Sequence, residues 1–353
     1  MTRYDCTRAE LAALLAGEPR YRVDQLFLGL YGALCEPEEL STLPRALRAR
    51  LAGAPELAPA LTPVSETSAD DAATTKWLFA LEDGERIETV LMHAERRSTV
   101  CISSQAGCAM GCSFCATGQA GYRRQLTRGE ILEQVVRAAR RARSDGRRLD
   151  HVVFMGMGEP LANYERVFSA VVAIIDDLGL AARHVTVSTV GIVPGIRRLA
   201  NEPRQINLAV SLHAANDALR DEIVPINRRY PLDMLREACA AYIEQTGRRL
   251  SFEWALIDGV NDSGRDAAEL AAIARPLGAH VNLIPLNPTP GYRVLGSPPA
   301  RVRAFRDALG AHGVNATVRR TRGQDIDAAC GQLAARLRDG TALAIGPRAG
   351  AAH

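Results

Sequence analysis

The chain has 353 residues, room for about two domains, and 47% hydrophobic and 24% charged residues, which excludes disorder over most of its length. No window approaches the roughly 18 consecutive apolar residues of a membrane span, and residues 1–10 lack the apolar core of a signal peptide, so a cytoplasmic chain without membrane contact is expected. A net charge of +3 permits nucleic-acid binding without demanding it, and the one lysine, Lys76 in Thr-Thr-Lys-Trp, excludes a nucleotide loop of the G-x-x-x-x-G-K type.

Leu11, Leu14 and Leu15 keep helical spacing, as do Leu26 with Leu30 and Phe27 with Tyr31, which predicts helices over 10–53. Pro55, Pro59 and Pro63 in an Ala-, Ser-, Thr- and Asp-rich run predict a linker over 53–74, closing an N-terminal helical domain of residues 1–73. Runs 77–81 and 87–91 flank Glu82-Asp83-Gly84-Glu85 and predict a β-hairpin within residues 74–97. From 98 to 340 strands and helices alternate. Strands are expected at 99–103, 151–155, 185–190, 206–212, 250–256 and 281–286, and helices near 128–143, 163–178, 193–201, 231–246, 264–276 and 299–312. The capping box Thr127-Arg-Gly-Glu130 opens the first of these helices. Such alternation implies an α/β fold, a parallel sheet closed or partly closed as a (βα)6 barrel, with functional residues at the C-terminal strand ends. A last strand at 315–320 and a helix near 325–338 follow, and residues 341–353 are expected as a flexible tail.

Eight cysteines sit at 6, 35, 101, 108, 112, 115, 239 and 330. In an intracellular chain of this size they point to metal binding or redox chemistry rather than to a disulfide scaffold. Cys108, Cys112 and Cys115 form C-x-x-x-C-x-x-C just after the first barrel strand, in a loop freed to wrap by Gly107 and Gly111. Three thiolates leave one iron of a four-iron cluster without a protein ligand, open to a substrate or cofactor. A structural zinc site is the alternative, but it wants a fourth Cys or His, and His93 and His151 have no ligand spacing. Three unrelated buried thiols are the other.

Longer stretches carry a resemblance. They are 101–119 (Cys101-Ile-Ser-Ser-Gln-Ala-Gly-Cys108 onward), Met155-Gly-Met-Gly-Glu-Pro-Leu-Ala-Asn163, Ser188-Thr-Val-Gly, Ser211-Leu-His-Ala, Asn287-Pro and Arg319-Arg-Thr-Arg-Gly-Gln-Asp-Ile-Asp-Ala-Ala-Cys330. Together, over about Tyr21 to Leu337, they resemble the RlmN/Cfr group of radical S-adenosylmethionine (SAM) RNA adenosine methyltransferases. The resemblance implies a partial (βα)6 radical SAM barrel with an N-terminal helical accessory domain that binds RNA. It implies a [4Fe-4S] cluster on Cys108, Cys112 and Cys115, and a cofactor held by Gly158, Glu159, Ser188, Ser211, Leu212, His213 and Asn287. The chemistry of Gly158-Glu159-Pro160 agrees, since a carboxylate accepts hydrogen bonds from an ammonium; alone, this Glu reads as a solvated strand-end turn.

By the same resemblance Cys330 is the methyl carrier, an S-methylcysteine formed from one SAM while a second is cleaved to a radical, two per turnover. The route has a chemical motive: the amidine carbons of adenine are electrophilic and cannot attack a sulfonium methyl, whereas a carbon radical needs no nucleophile. Cys101 is implied as the resolving thiol, through a transient disulfide with Cys330, and Glu88 as the proton acceptor. From sequence alone Glu88 reads as an exposed strand residue, and Cys6, Cys35 and Cys239 as structural thiols.

The implied activity is RlmN-type methylation at C2 of an adenosine in 23S rRNA and of the adenosine beside the anticodon in some tRNAs. Cfr-type methylation at C8, a resistance activity, shares the cluster and both working cysteines and stays open. A non-catalytic iron–sulfur RNA-binding module is a third reading, against which Cys101 and Cys330 speak, since binding needs neither. The family implies a monomer served by flavodoxin. Three arginine clusters could meet RNA: 123–124, 137–148 and Arg319-Arg320-Arg322. The last suits a phosphate backbone drawn to Cys330; the middle one reads as a solvated helix face. The target base must be unstacked to be reached. Gly29 and Leu286 stand where the family pattern suggests an aromatic, and Tyr122 where it suggests Phe.

Overall fold

The computed structural model describes residues 1–69, 73–289, 291–319 and 323–335. Helices α1 (Arg8–Leu14), α2 (Tyr21–Phe27) and α3 (Arg45–Ala52) open the chain, and their buried leucines join the same core as the sheet. Thr7 and Glu10 cap α1 reciprocally. After α2 the chain continues in a wider helical turn, Leu28–Ala33, which stacks Phe27 on Tyr31 with ring centres 4.6 Å apart. A Cβ at Gly29 would lie 2.1 Å from the Leu40 side chain, so packing, not recognition, explains the missing aromatic there.

The strands are β1 (Thr62–Ala69), β2 (Thr74–Ala80), β3 (Arg86–His93), β4 (Ser98–Cys101), β5 (Gln105–Gly107), β6 (Tyr122–Gln125), β7 (Leu149–Phe154), β8 (Val185–Thr189), β9 (Asn207–Ser211), β10 (Leu250–Leu256), β11 (His280–Pro285) and β12 (Ala316–Val318). Ten form one sheet in the order β1-β2-β3-β4-β7-β8-β9-β10-β11-β12; β5 and β6 form a separate ribbon. Pairing is antiparallel from β1 to β4 and parallel from β4 to β12. The remaining helices are α4 (Ala116–Ala120), α5 (Arg128–Ser144), α6 (Tyr164–Asp176), α7 (Val193–Ala200), α8 (Asp217–Ile223), α9 (Leu232–Thr246), α10 (Gly264–Ala274) and α11 (Pro299–Ala311). The six expected barrel strands and six helices are all present, with ends displaced by a residue or two, and the Thr127–Glu130 capping box is formed. Parallel strands covered on both faces read as near-continuous apolar runs, which is why Leu208-Ala-Val210 and Val281 with Leu283 are buried. Among the described residues no helix is long and apolar enough to cross a membrane.

Two of these expectations fail. The segment 53–74 is not all linker: Thr62–Ala69 is the edge strand β1, paired with β2 from Thr62↔Ala80 to Ala69↔Thr74, and bulged next to Pro63. An edge strand tolerates Pro and a polar face, so its composition mimics a linker. The helix expected near 325–338 does not form in the described residues, which hold only a short turn at Gln324–Ile326. Left-handed backbone at Asp327, Gly331 and Ala335 breaks any helix there. Residues 336–353, including the whole expected tail, lie outside the described residues.

The arginines of α5 are not a solvated face. Arg140 binds Glu36 at 2.6 Å and Glu39 at 2.9 Å, and Arg143 reaches the carbonyls of Ala33 and Gly32. Arg137 reaches Leu61 O, Arg128 binds Tyr4 O and Arg141 pairs with Glu66. The planar guanidinium fork matches carboxylates and carbonyls, and here it seats the N-terminal helical segment and β1 against α5.

Candidate active site

The loop with three cysteines starts from the β5–β6 ribbon, in which Gln105 pairs with Gln125 and Ala106 with Arg124. Cys108 N–H donates to Gly121 O at 2.9 Å. A Cβ at Gly107 would sit 1.9 Å from that same oxygen, and Gly107 has φ +72°, so only glycine fits. Cys115 then caps α4 while its N–H donates to Cys112 O at 3.2 Å. Cys112 is buried; Cys108 and Cys115 are half-buried. Burial first, then nearby Glu159 and Cys115, pushes the Cys108 thiol up to about 12. Burial and the two companion thiols push Cys112 well above its ordinary value. Thiolates in such surroundings need the positive charge of bound metal, so the donor set fits an iron–sulfur cluster. Among the described residues no three or more His, Cys, Asp or Glu are gathered as a single metal ion requires.

Beside Cys112 and Cys115 a cavity opens at the C-terminal ends of the strands. Gly158, Glu159, Ser188, Ser211, His213 and Asn287 line it. Glu159 is buried; its Oε1 accepts from Leu161 N–H at 2.9 Å and its Oε2 from Val190 N–H at 2.8 Å. Burial raises its pKa to about 7, against those hydrogen bonds. Gly158, at φ +100°, presses so closely on Gln105 that a Cβ would lie 2.5 Å from its side chain. Gln105 in turn accepts from Glu159 N–H at 2.8 Å, so the ribbon holding the cysteines also sets the carboxylate.

Ser188 and Ser211 lie with hydroxyls 3.4 Å apart on neighbouring strands. His213, at φ +60°, accepts from Ala255 N–H through Nδ1 at 3.0 Å, which assigns its proton to Nε2. Burial, helped by Arg220, lowers its pKa to about 3 and keeps the ring neutral. Arg220, fully buried, ties the strand ends together: Nη2 reaches Val190 O at 2.6 Å and Nε reaches Leu212 O at 3.0 Å. Leu212 itself packs its side chain into the main core and is not among the cavity-lining residues.

A second lobe shares Met155, Asn287, Arg319 and Cys330 with the first and adds Cys101. Cys330 therefore stands at the junction, exposed to solvent through the cavity although protein surrounds it. Burial and the Cys330 sulfur push the Cys101 thiol up to about 12, so the two sulfurs sense each other. All eight cysteines are free thiols, so Cys101 and Cys330 carry no standing disulfide.

The Cys330 segment takes its fixings from elsewhere. Asn287 Nδ2 donates to Cys330 O at 3.0 Å, Ala116 N–H to Gly331 O at 2.8 Å and Thr117 Oγ1 to Leu333 O at 2.6 Å. Glu88 Oε2 accepts from the N–H groups of Ala334 at 2.7 Å and Ala335 at 2.9 Å, while Lys76 holds Oε1 at 2.8 Å. Glu88 is thus buried, contrary to the exposed reading, and it lines neither lobe. Arg319 also departs from expectation: it lines both lobes instead of offering itself to phosphate, while Arg320 and Arg322 lie outside the described residues. Sequence reasoning missed Gln105, Arg220 and Glu253; only Glu253, an acid inside the apolar run Leu250–Leu256, left a signal.

The profile of the Radical SAM superfamily matches residues 102–271. The chain is 52% identical to the dual-specificity RNA methyltransferase RlmN 1 of Myxococcus xanthus, over 95% of this chain and 94% of that one. It is 52% identical to a probable dual-specificity RNA methyltransferase RlmN of Salinispora tropica, over 90% and 88%. A crystal structure of a radical SAM methyltransferase from Sphaerobacter thermophilus superposes with a TM-score of 0.91 at 53% identity, covering 95% of this chain and all of that one. With the cysteine loop, the barrel and these relatives in agreement, the chain belongs to the RlmN family of radical SAM RNA methyltransferases.

Proposed function

We propose that the protein methylates C2 of an adenosine in 23S rRNA and of the adenosine beside the anticodon in some tRNAs, by way of a methyl group carried on Cys330. The observation that carries this reading is the lobe in which Cys115, Cys101 and Cys330 line one cavity. Cys108, Cys112 and Cys115 would hold the [4Fe-4S] cluster, which with bound SAM supplies a 5′-deoxyadenosyl radical. Glu159, poised near neutrality, gains its charge when the cofactor's ammonium arrives. Gly158 lets the chain pass close, Ser188, Ser211 and Asn287 offer polar groups to ribose and carboxylate, and neutral His213 offers its Nε2–H; Leu212 contributes only main chain. Cys330 takes its methyl from a first SAM by displacement, so two are used per turnover. Cys101 then attacks the Cys330 sulfur of the RNA adduct: an S–S bond forms as the S–CH2 bond breaks, and the freed carbon takes up a proton to become the methyl group, leaving a transient disulfide.

Glu88 is the proton acceptor in this reading. To act, it must give up the amides of Ala334 and Ala335, so proton removal is coupled to movement of the Cys330 segment. The N-terminal domain serves as the accessory RNA-binding unit, the protein works as a cytoplasmic monomer, and flavodoxin reduces the cluster. The choice of C2 over C8 rests on the dual-specificity RlmN relatives. The test is the product. Reconstituted enzyme, SAM, reductant and unmodified 23S rRNA fragment are incubated, and the digest is read by mass spectrometry. A 2-methyladenosine peak that disappears with Cys330→Ala is expected; 8-methyladenosine, or none with an intact cluster, contradicts the reading.

A further inference from the structure

Glu253 is a carboxylate in the middle of β10, only 3% exposed, and it lines the cavity. Its Oε1 is fully engaged, accepting from Asn282 Nδ2 at 2.8 Å and Ser251 Oγ at 3.1 Å. Asn282 is its register partner on β11, and its own Oδ1 accepts from Thr317 Oγ1 on β12 at 3.0 Å. Three strands thus fix one oxygen and leave Oε2 buried with no hydrogen-bond partner among the described residues. A buried acceptor left open is expensive, and its cation stands slightly too far to satisfy it: Arg319 Nε lies 3.7 Å away.

Arg319 follows β12, tied by its N–H to Leu283 O at 2.8 Å. Its guanidinium turns inward, with Nη1 3.8 Å from Met155 Sδ, and Arg319 lines both lobes of the cavity together with Cys330; burial pushes the Cys330 thiol up, and the Arg319 charge opposes that. A half-buried, loosely matched ion pair stabilises a fold little, and apolar side chains would fill this space as well. Its place on the cavity wall that Cys330 also lines is what distinguishes it. We propose that Arg319, held in place by Glu253, is a positioning residue for Cys330, keeping positive charge against the sulfur that receives the methyl group.

The step balances. The thiol proton leaves to solvent, the thiolate forms a C–S bond to the cofactor methyl as the sulfonium C–S bond breaks, and two neutral thioethers result. Arg319 offsets the cost of holding an anion in this cavity before transfer and has no anion to hold afterwards. Glu253 would repel the thiolate if Arg319 were absent. Besides these two, Cys101 is the titratable group that senses Cys330 among the described residues.

The inference rests on the carrier role of Cys330, and its test does not need turnover. The full-length chain, without cluster, SAM or RNA, is alkylated with iodoacetamide at pH 7, and the rate is read on the Cys330 peptide by mass spectrometry. Arg319→Met should slow Cys330 by about tenfold or more, the equivalent of one unit in thiol pKa. Arg319→Lys should recover part of the rate. Glu253→Gln added to Arg319→Met should also recover part, since the uncompensated carboxylate is gone; simple loss of packing would make the double variant slower still. An unchanged rate in Arg319→Met, or no recovery in either second variant, overturns the proposal. Methyl transfer from SAM to Cys330 is assayed separately on the reconstituted wild type, so a failed carrier reading shows there and not in the alkylation series.

Discussion

Two segments bring sulfur to the same cavity and are built on opposite plans. The loop bearing Cys108, Cys112 and Cys115 is anchored mostly by near neighbours: the β5–β6 ribbon, glycine turns, the start of α4 and a contact to Ile223. The segment bearing Cys330 has a single short turn and depends on distant residues: Asn287, Ala116, Thr117 and, beyond them, Glu88 with Lys76. In the proposed function the first segment holds a metal site, which wants donors that do not move, and the second is a carrier that visits two partners in turn, a cofactor and an RNA base. Anchors that are few, polar and remote suit the second task because they can be exchanged at small cost.

The comparison is broken most severely from the rigid side. Cys112→Ala should abolish iron binding, seen as loss of the visible absorbance, and all methylation. The melting temperature of the cluster-free protein should change little, because the ribbon does not depend on that sulfur. A variant that still takes up a full cluster contradicts the assignment.

Glu88→Ala strikes the borrowed anchors. It strips the acceptor from two amides and the partner from Lys76, at about 1–3 kcal/mol for each group left buried and unmet. Product should fall by more than about tenfold with iron content unchanged, and limited proteolysis should cut within 323–335. Glu88→Gln sharpens the point by keeping an acceptor for the amides while removing the base. Covalent RNA–protein adduct accumulating in Glu88→Gln but not in Glu88→Ala is the expected pattern; equal protease resistance of all three proteins would remove the anchoring role.

A third effect is thermodynamic. The pKa of Glu159 stands at about 7 in the fold against 4.5 when free. At 1.36 kcal/mol per unit this is about 3 kcal/mol. A raised carboxyl binds its proton more tightly in the folded state, so this contribution is full below about 4.5 and lost as pH rises through about 7. The cofactor-free protein should therefore lose melting temperature between pH 5 and 8, and Glu159→Gln should flatten that slope. An unchanged slope in the variant rejects Glu159 as its source. The smallest effect belongs to the outer face of α5: Arg140→Ala, at a partly exposed pair, should cost at most about 1 kcal/mol, less in high salt, measured by denaturant titration.

The same contrast explains what could be read from the sequence. The cysteine loop, the capping box and the alternating strands are local patterns, and periodicity or spacing reports them directly. β1 escaped because an edge strand with polar residues and Pro63 lacks the burial that makes periodicity visible. The helix expected near 325–338 failed because carbonyls at 330, 331 and 333 are satisfied by Asn287, Ala116 and Thr117 instead of by amides four residues on. Glu88 and Arg319 share one cause: each meets partners more than 60 residues away, Ala334 with Ala335 and Glu253, which no local pattern carries. Arginine on α5 looked solvated because its acceptors lie on α2's continuation and the turn at Pro37–Glu39.

The central claim is that Cys330 carries the methyl group. The most direct measurement is to incubate the reconstituted protein with methyl-labelled SAM and no RNA, digest it, and locate the label. One methyl on the Cys330 peptide, passing to RNA when substrate is added, is the expected result. RNA methylation that proceeds while Cys330 stays unlabelled contradicts it.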